Sequence, residues 1–136
     1  MNGLDHVAIL VSDLDAAVKL YRDVYGLELA EIEEVPTEKV RVAIFGHGRG
    51  RIELVSPSGP DSPMQKAIEK RGEGLHHVAL TVAGLEERIA ELKQSGVRMI
   101  DDKPRPGAHH MRIAFLHPRS TFGVLTELCE PAGPAN

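Results

Sequence analysis

The sequence predicts an α+β fold: two βαβββ modules forming a curved, mostly antiparallel sheet, a half-barrel, around a metal site. Three observations predict it. Residues 6–9 read HVAI and residues 77–80 read HVAL, 71 positions later. VRVAIF at 40–45 matches MRIAFL at 111–116 at the same offset. IELVSP at 52–57 matches TELCEP at 126–131 at an offset of 74, the three extra residues falling in the loop HPRSTFG. Segments repeated in the same order mark a repeated supersecondary unit. Neither unit has enough apolar residues for a core of its own, so the two are expected to form one domain, residues 1–136.

The first repeat spans about residues 1–58. Side chains alternate along a strand, so Val7, Ile9 and Val11 share the face a helix covers. His6, Ala8 and Leu10 share the other. Leu14, Ala17, Val18 and Tyr21 then recur at helical spacing, with Ser12 or Asp13 as cap and Gly26 as stop. Strands follow at VRVAIF and IELVSP. The linker, 59–71, opens as a Pro/Gly/Ser loop and continues as a short helix through MQKAIEKR; GEG then stops it. The second repeat spans about 72–131. His76, Val78, Leu80 and Val82 fall on its helix-covered face, with His77, Ala79 and Thr81 on the other. Leu85, Ile89 and Leu92 mark its helix, which Gly96 ends. The tail PAGPAN is expected to fray.

Composition narrows the function classes. The chain has 136 residues, 42% hydrophobic, with a formal charge of −4. No positive field favours nucleic acid or an anionic membrane. No stretch approaches the roughly 20 apolar residues of a membrane span. MNGLDHVAIL lacks the basic region of a signal peptide. Cys129 is the single cysteine, which excludes an intramolecular disulfide and makes a reducing cytoplasm the expected compartment.

The repeat also points to a site. His6 matches His77, both away from the helices. Glu53, between Ile52 and Leu54, matches Glu127, between Thr126 and Leu128. A carboxylate among apolar strand residues is costly unless it is paired or bound to a cation. A lone histidine at a strand start is ordinarily surface or core; recurrence at matched positions changes that reading. Two imidazoles and two carboxylates facing one cavity make a divalent-metal site. Mixed nitrogen and oxygen donors suit Co, Mn, Ni, Zn or Fe better than Ca, and ligand type does not identify the metal. His47, His109 and His110 lie in loops and are expected to be solvated, with His117 intermediate. His76 is the expected bystander of its pair. Cys129 shares the face of Glu127 and is expected to fill core.

These residues resemble the vicinal oxygen chelate superfamily, which includes glyoxalase I, extradiol dioxygenases and some antibiotic-resistance proteins. Within it the chain is most similar to the methylmalonyl-CoA epimerases, along nearly its whole length. The stretches that carry the likeness are DHVAILVSDLDAAVKLYRDVYGLEL, IELVSPSGPDSP, KRGEGLHHVAL and KPRPGAHHMRIAFLHPRS with GVLTELCEP. The resemblance implies metal ligands at His6, Glu53, His77 and Glu127. It implies inversion of the carbon between a thioester and a carboxylate, through an enolate stabilised by the ion. One group removes a proton on one face and another returns it on the opposite face. Glu127 is the first choice for one of these groups. Some relatives carry a glutamate where Val42 stands, so Glu53 or a bound water becomes the second. EEVPTEKV, which includes Glu38, also departs from the commoner loop wording. The implied partner is an acyl-CoA, with Lys103, Arg105, Arg112 and Arg119 as cations for its phosphates and His117 near the cavity mouth. The resemblance further implies a homodimer. A glyoxalase I-like lyase or another metal-dependent enzyme of the same superfamily is one alternative, and a non-catalytic small-molecule-binding protein is the other. Lost ligands would mark the binding protein, and all four are present.

Overall fold

The structure is a computed structural model that describes residues 1–133. The last three residues of the PAGPAN tail lie outside the described residues. The chain divides into two compact units. One comprises His6–His76; the other comprises Met1–Asp5 and the chain from His77 onward.

In the first unit strand β1 (Leu4–Leu10, from His6 on) is followed by helix α1 (Leu14–Lys19). Strands β2 (Leu29–Val35), β3 (Val40–Phe45) and β4 (Arg51–Pro57) come next, then helix α2 (Pro63–Arg71). The strand order is β2-β3-β4-β1, with β2–β3 and β3–β4 antiparallel and β4–β1 parallel. Asp13 caps α1, its Oδ1 accepting from Ala16 N at 3.1 Å. Ser12 is used otherwise: its backbone N and Oγ both donate to the Glu73 carboxylate. The helix runs on as a π-helical turn, Leu20–Val24, and the chain leaves through Gly26 at φ 77°, a conformation that suits glycine. Leu14 and Val18 pack on Val11, Ala43, Phe45 and Leu54, with Ile9 and Ile52 beside them. Burying each such side chain contributes about 1.5–3 kcal/mol. This is the face expected to meet the helix. Ser62 caps α2 through Met64 N, and Gly72 ends it at φ 83°.

The second unit repeats the plan. Strand β5 (Gly74–Thr81, from His77 on) precedes helix α3 (Leu85–Gln94), and β6 (Arg105–Pro106), β7 (Met111–Leu116) and β8 (Thr126–Pro131) follow. The order is β5-β8-β7-β6, with β5–β8 parallel and the other pairs antiparallel. Two of three pairings in each unit are thus antiparallel, as the mostly antiparallel expectation requires. Strand β6 is only two residues long because Pro104 and Pro106 cannot donate to a ladder. The N-cap residue of α3, Gly84, has no side chain to offer; the Glu130 carboxylate from β8 accepts from Gly84 N and Leu85 N in its place. Leu85 and Ile89 pack on Val82, Ala114, Leu116 and Leu128. The opposite face carries Ala79, Met111, Ile113 and Cys129, with Phe115 beside them. Met1–Asp5 join this unit through the backbone: Asn2 N donates to Thr81 O, and Thr81 N to Gly3 O.

Candidate functional site

Parallel pairing of β1 with β4 sets the first half of the site. Ala8 stands opposite Glu53, and His6 opposite Arg51. His6 and Glu53 share the face away from α1, and each is 4% exposed. His6 Nδ1 lies 3.4 Å from Glu53 Oε2. The same oxygen lies 3.5 Å from Arg51 Nη2, and Arg51 Nη1 donates to the Gly48 carbonyl. Arg51 is itself buried. Its guanidinium compensates a carboxylate that would otherwise be costly to bury.

The second half repeats the register. Ala79 stands opposite Glu127 across β5–β8, and Phe115 opposite Glu127 across β7–β8. In the first unit the matching pairs are Ala8 and Ile44 against Glu53. His77 Nε2 lies 3.7 Å from Glu127 Oε1, and both side chains are buried. The His77 ring meets the Phe115 ring edge-on, 5.1 Å between centroids. The Arg105 guanidinium lies over Phe115, 5.4 Å from the ring centroid. Asp101 holds both: its Oδ1 accepts from Arg105 Nε at 3.0 Å and its Oδ2 from Phe115 N at 2.8 Å. Burial pushes the Asp101 carboxyl up from its usual range, opposed by the Phe115 bond. Burial lowers the Arg105 guanidinium, and the negative charge of Glu127 opposes that shift.

Each half fits a divalent ion. Two donors each about 2.1 Å from one ion can lie no more than about 4.2 Å apart. Both His–Glu separations fall inside that limit and beyond an ordinary hydrogen bond. A borderline nitrogen and a hard oxygen are a donor set for a transition ion or zinc.

The other candidates are placed unequally. His76 lies on the opposite face of β5 from His77; burial and then the nearby Arg71 charge lower its imidazole to about 4. Val42 is buried in register with Val55, so that place offers no proton carrier. Arg112 faces the α3 side, where it pairs with Glu130 at 2.9 Å and with Glu86. Those carboxylates take the charge expected to bind substrate, because alternation along β7 turns Arg112 away from Phe115. His117 Nδ1 accepts from Arg119 N at 3.1 Å, capping the turn Pro118–Ser120, and Arg119 is exposed. His47 lies exposed beside Glu28. Cys129 is fully buried, its thiol against the Leu80 carbonyl. Sequence reasoning missed Arg51 and Asp101. Arg51 carried a signal, since it precedes Glu53 by two residues and must share its face; Asp101, in a loop, carried none.

The chain belongs to the Glyoxalase/Bleomycin resistance protein/Dioxygenase superfamily, whose family profile matches residues 5–115. It is 37% identical to mouse mitochondrial methylmalonyl-CoA epimerase over 94% of this chain and 72% of the relative. It is 36% identical to the ethylmalonyl-CoA/methylmalonyl-CoA epimerase of Cereibacter sphaeroides, over 92% and 95%. A solved methylmalonyl-CoA epimerase in complex with methylmalonyl-CoA and NH4+ superposes with a TM-score of 0.91 at 37% identity, covering 98% of this chain and 96% of that one. Within the superfamily the chain is therefore an enzyme of the methylmalonyl-CoA epimerase family, which is an isomerase family, and it has that family's fold.

Proposed function

We propose that the chain is a divalent-metal-dependent epimerase that interconverts the (R) and (S) forms of methylmalonyl-CoA. The observation that carries this reading is the burial of one imidazole beside one carboxylate at repeat-matched positions of each unit. His6, Glu53, His77 and Glu127 are the proposed ligands. The ion would supply positive charge where negative charge develops on the substrate's oxygens. The relatives named as epimerases of this thioester support the choice of substrate.

The chain's own groups carry the proton. Glu127 removes it from one face of the carbon between thioester and carboxylate, and Glu53 serves the other face. Both carboxylates are buried, so water competes weakly for the proton in transit. Arg119 and Lys103, both exposed, suit the phosphates of coenzyme A, and His117 lines the approach. Arg112 is left out, being committed to Glu86 and Glu130. The proposed working form is a cytoplasmic homodimer, with the single buried Cys129 suiting a reducing compartment. Among the described residues no helix is long and apolar enough to cross a membrane.

The test is α-proton exchange of methylmalonyl-CoA in deuterated water, with metal-stripped protein titrated with Co, Mn, Ni and Zn. Metal-dependent exchange is expected. Its absence, or turnover of the glutathione–methylglyoxal adduct instead, would overturn the reading.

A further inference from the structure

We propose that Phe122, with Arg98 and Arg119 beside it, forms a nucleotide subsite: its ring stacks on the adenine of coenzyme A while the two guanidiniums take phosphates. The inference rests on the proposed function, whose substrate carries that nucleotide, and adds the place where the nucleotide end binds.

Phe122 is anomalous in two ways. Its side chain is 101% exposed, and its backbone is left-handed at φ 56°. A bulky residue is disfavoured in that conformation, and a phenyl ring left in water adds nothing to the core. Folding alone therefore favours glycine here, as at Gly123, which follows at φ 86°. The turn is also braced. Ser120 N donates to the His117 carbonyl, Thr121 N and Gly123 N donate to the Pro118 carbonyl, and Val124 N donates to the Thr121 carbonyl. A ring held out by a braced turn suits a flat apolar partner, because little is left to order on binding.

The neighbouring charge defines the rest of that partner. Arg98 N donates to Ser120 Oγ at 2.9 Å, and the Arg98 carbonyl accepts from His117 N at 2.8 Å. Arg98 is thus tied on both sides to the turn that contains Arg119. Both arginines are exposed, and among the described residues neither guanidinium is paired with a carboxylate. On a chain of formal charge −4, two uncompensated guanidiniums beside one ring suit an anion with several oxygens. A flat base carrying phosphates is a nucleotide. The turn joins β7 to β8, with Phe122 five residues before Glu127. A pantetheine arm running out from a thioester held at Glu127 can therefore bring its nucleotide end to this turn.

The chain has no tryptophan, so Phe122→Trp makes a lone reporter whose emission a stacked adenine quenches. Coenzyme A, adenosine 3′,5′-bisphosphate and pantetheine are titrated into it at fixed ionic strength. Saturable quenching is expected from the first two, tighter with coenzyme A, and none from pantetheine. Phe122→Gly, followed by calorimetry, should weaken coenzyme A by about 5- to 100-fold and change pantetheine by less than about twofold. The same variant should raise the melting temperature, since glycine suits the left-handed turn; a merely structural ring would not combine that gain with the loss of one ligand. Arg98→Gln and Arg119→Gln should each flatten the salt dependence of coenzyme A binding. Quenching by pantetheine would put the arm rather than the base on the ring. Equal affinity for the bisphosphate and coenzyme A would make this a site for a free nucleotide. Phe122→Gly binding coenzyme A as tightly as the wild type would leave the ring without a ligand. Any of these three overturns the inference. Wild-type α-proton exchange, measured in parallel, separates its failure from failure of the epimerase reading.

Discussion

Arg51 places its guanidinium 3.5 Å from the Glu53 carboxylate, where the repeat puts Leu125 next to Glu127. The two halves therefore match in register but not in charge. Glu53 has a permanent buried cation beside it. Around Glu127 the corresponding residue is apolar, and the nearby charge comes from Arg105 across Phe115.

This asymmetry predicts a stability effect in one half. Arg51→Met removes one partner of a buried pair, which costs about 3–5 kcal/mol. Adding Glu53→Gln removes the buried charge left behind. The double variant should then be more stable than Arg51→Met alone, read from urea unfolding of metal-free protein. A double variant whose losses simply add would show no coupling.

The proton carriers are separable by isotope. Glu127→Gln and Glu53→Gln should each slow epimerisation by about 10²–10⁴-fold. Each variant should still exchange the α-proton of one epimer with deuterated water, and the two should retain opposite epimers. Full exchange of both epimers by Glu53→Gln would hand the second role to a water.

Much of this site was legible because two regularities coincide. The period of two assigns faces, and the repeat chooses between them, so His6, His77, Glu53 and Glu127 follow from spacing alone. Arg112 was not legible. Its partners, Glu86 and Glu130, lie 26 and 18 residues away in sequence, and no local pattern announces them. The leading residues are a similar case. Met1–Asp5 go with the second unit through backbone bonds of Asn2 and Gly3 to Thr81, and backbone pairing leaves no mark on side-chain pattern. The shortness of β6 was readable in principle from its two prolines, but their effect depends on which ladder they interrupt.

The adjacent histidines should separate by what they bind. His77→Ala should abolish retention of Co or Zn after desalting, because it removes one of two donors in its half. His76→Ala should retain the metal and lower the melting temperature. Equal metal loss from both would mean that the faces of β5 are assigned the wrong way round.

His76 further predicts how stability depends on pH. Burial lowers its imidazole from 6.5 to about 4, with the Arg71 charge adding to the shift. The unfolded chain therefore binds a proton at a pH where the folded chain does not. By linkage, the contribution is fully present above pH 6.5 and is lost as pH falls toward 4. The side chain is only half-buried, so solvent keeps the effect smaller than the full shift implies. Replacing it with His76→Gln removes the titration. Melting curves at intervals from pH 7.5 to 4 should then show the wild-type midpoint falling more steeply than that of the variant. The other acids and histidines contribute equally to both and cancel in the difference. Two parallel curves would mean that His76 titrates alike in the folded and unfolded chains.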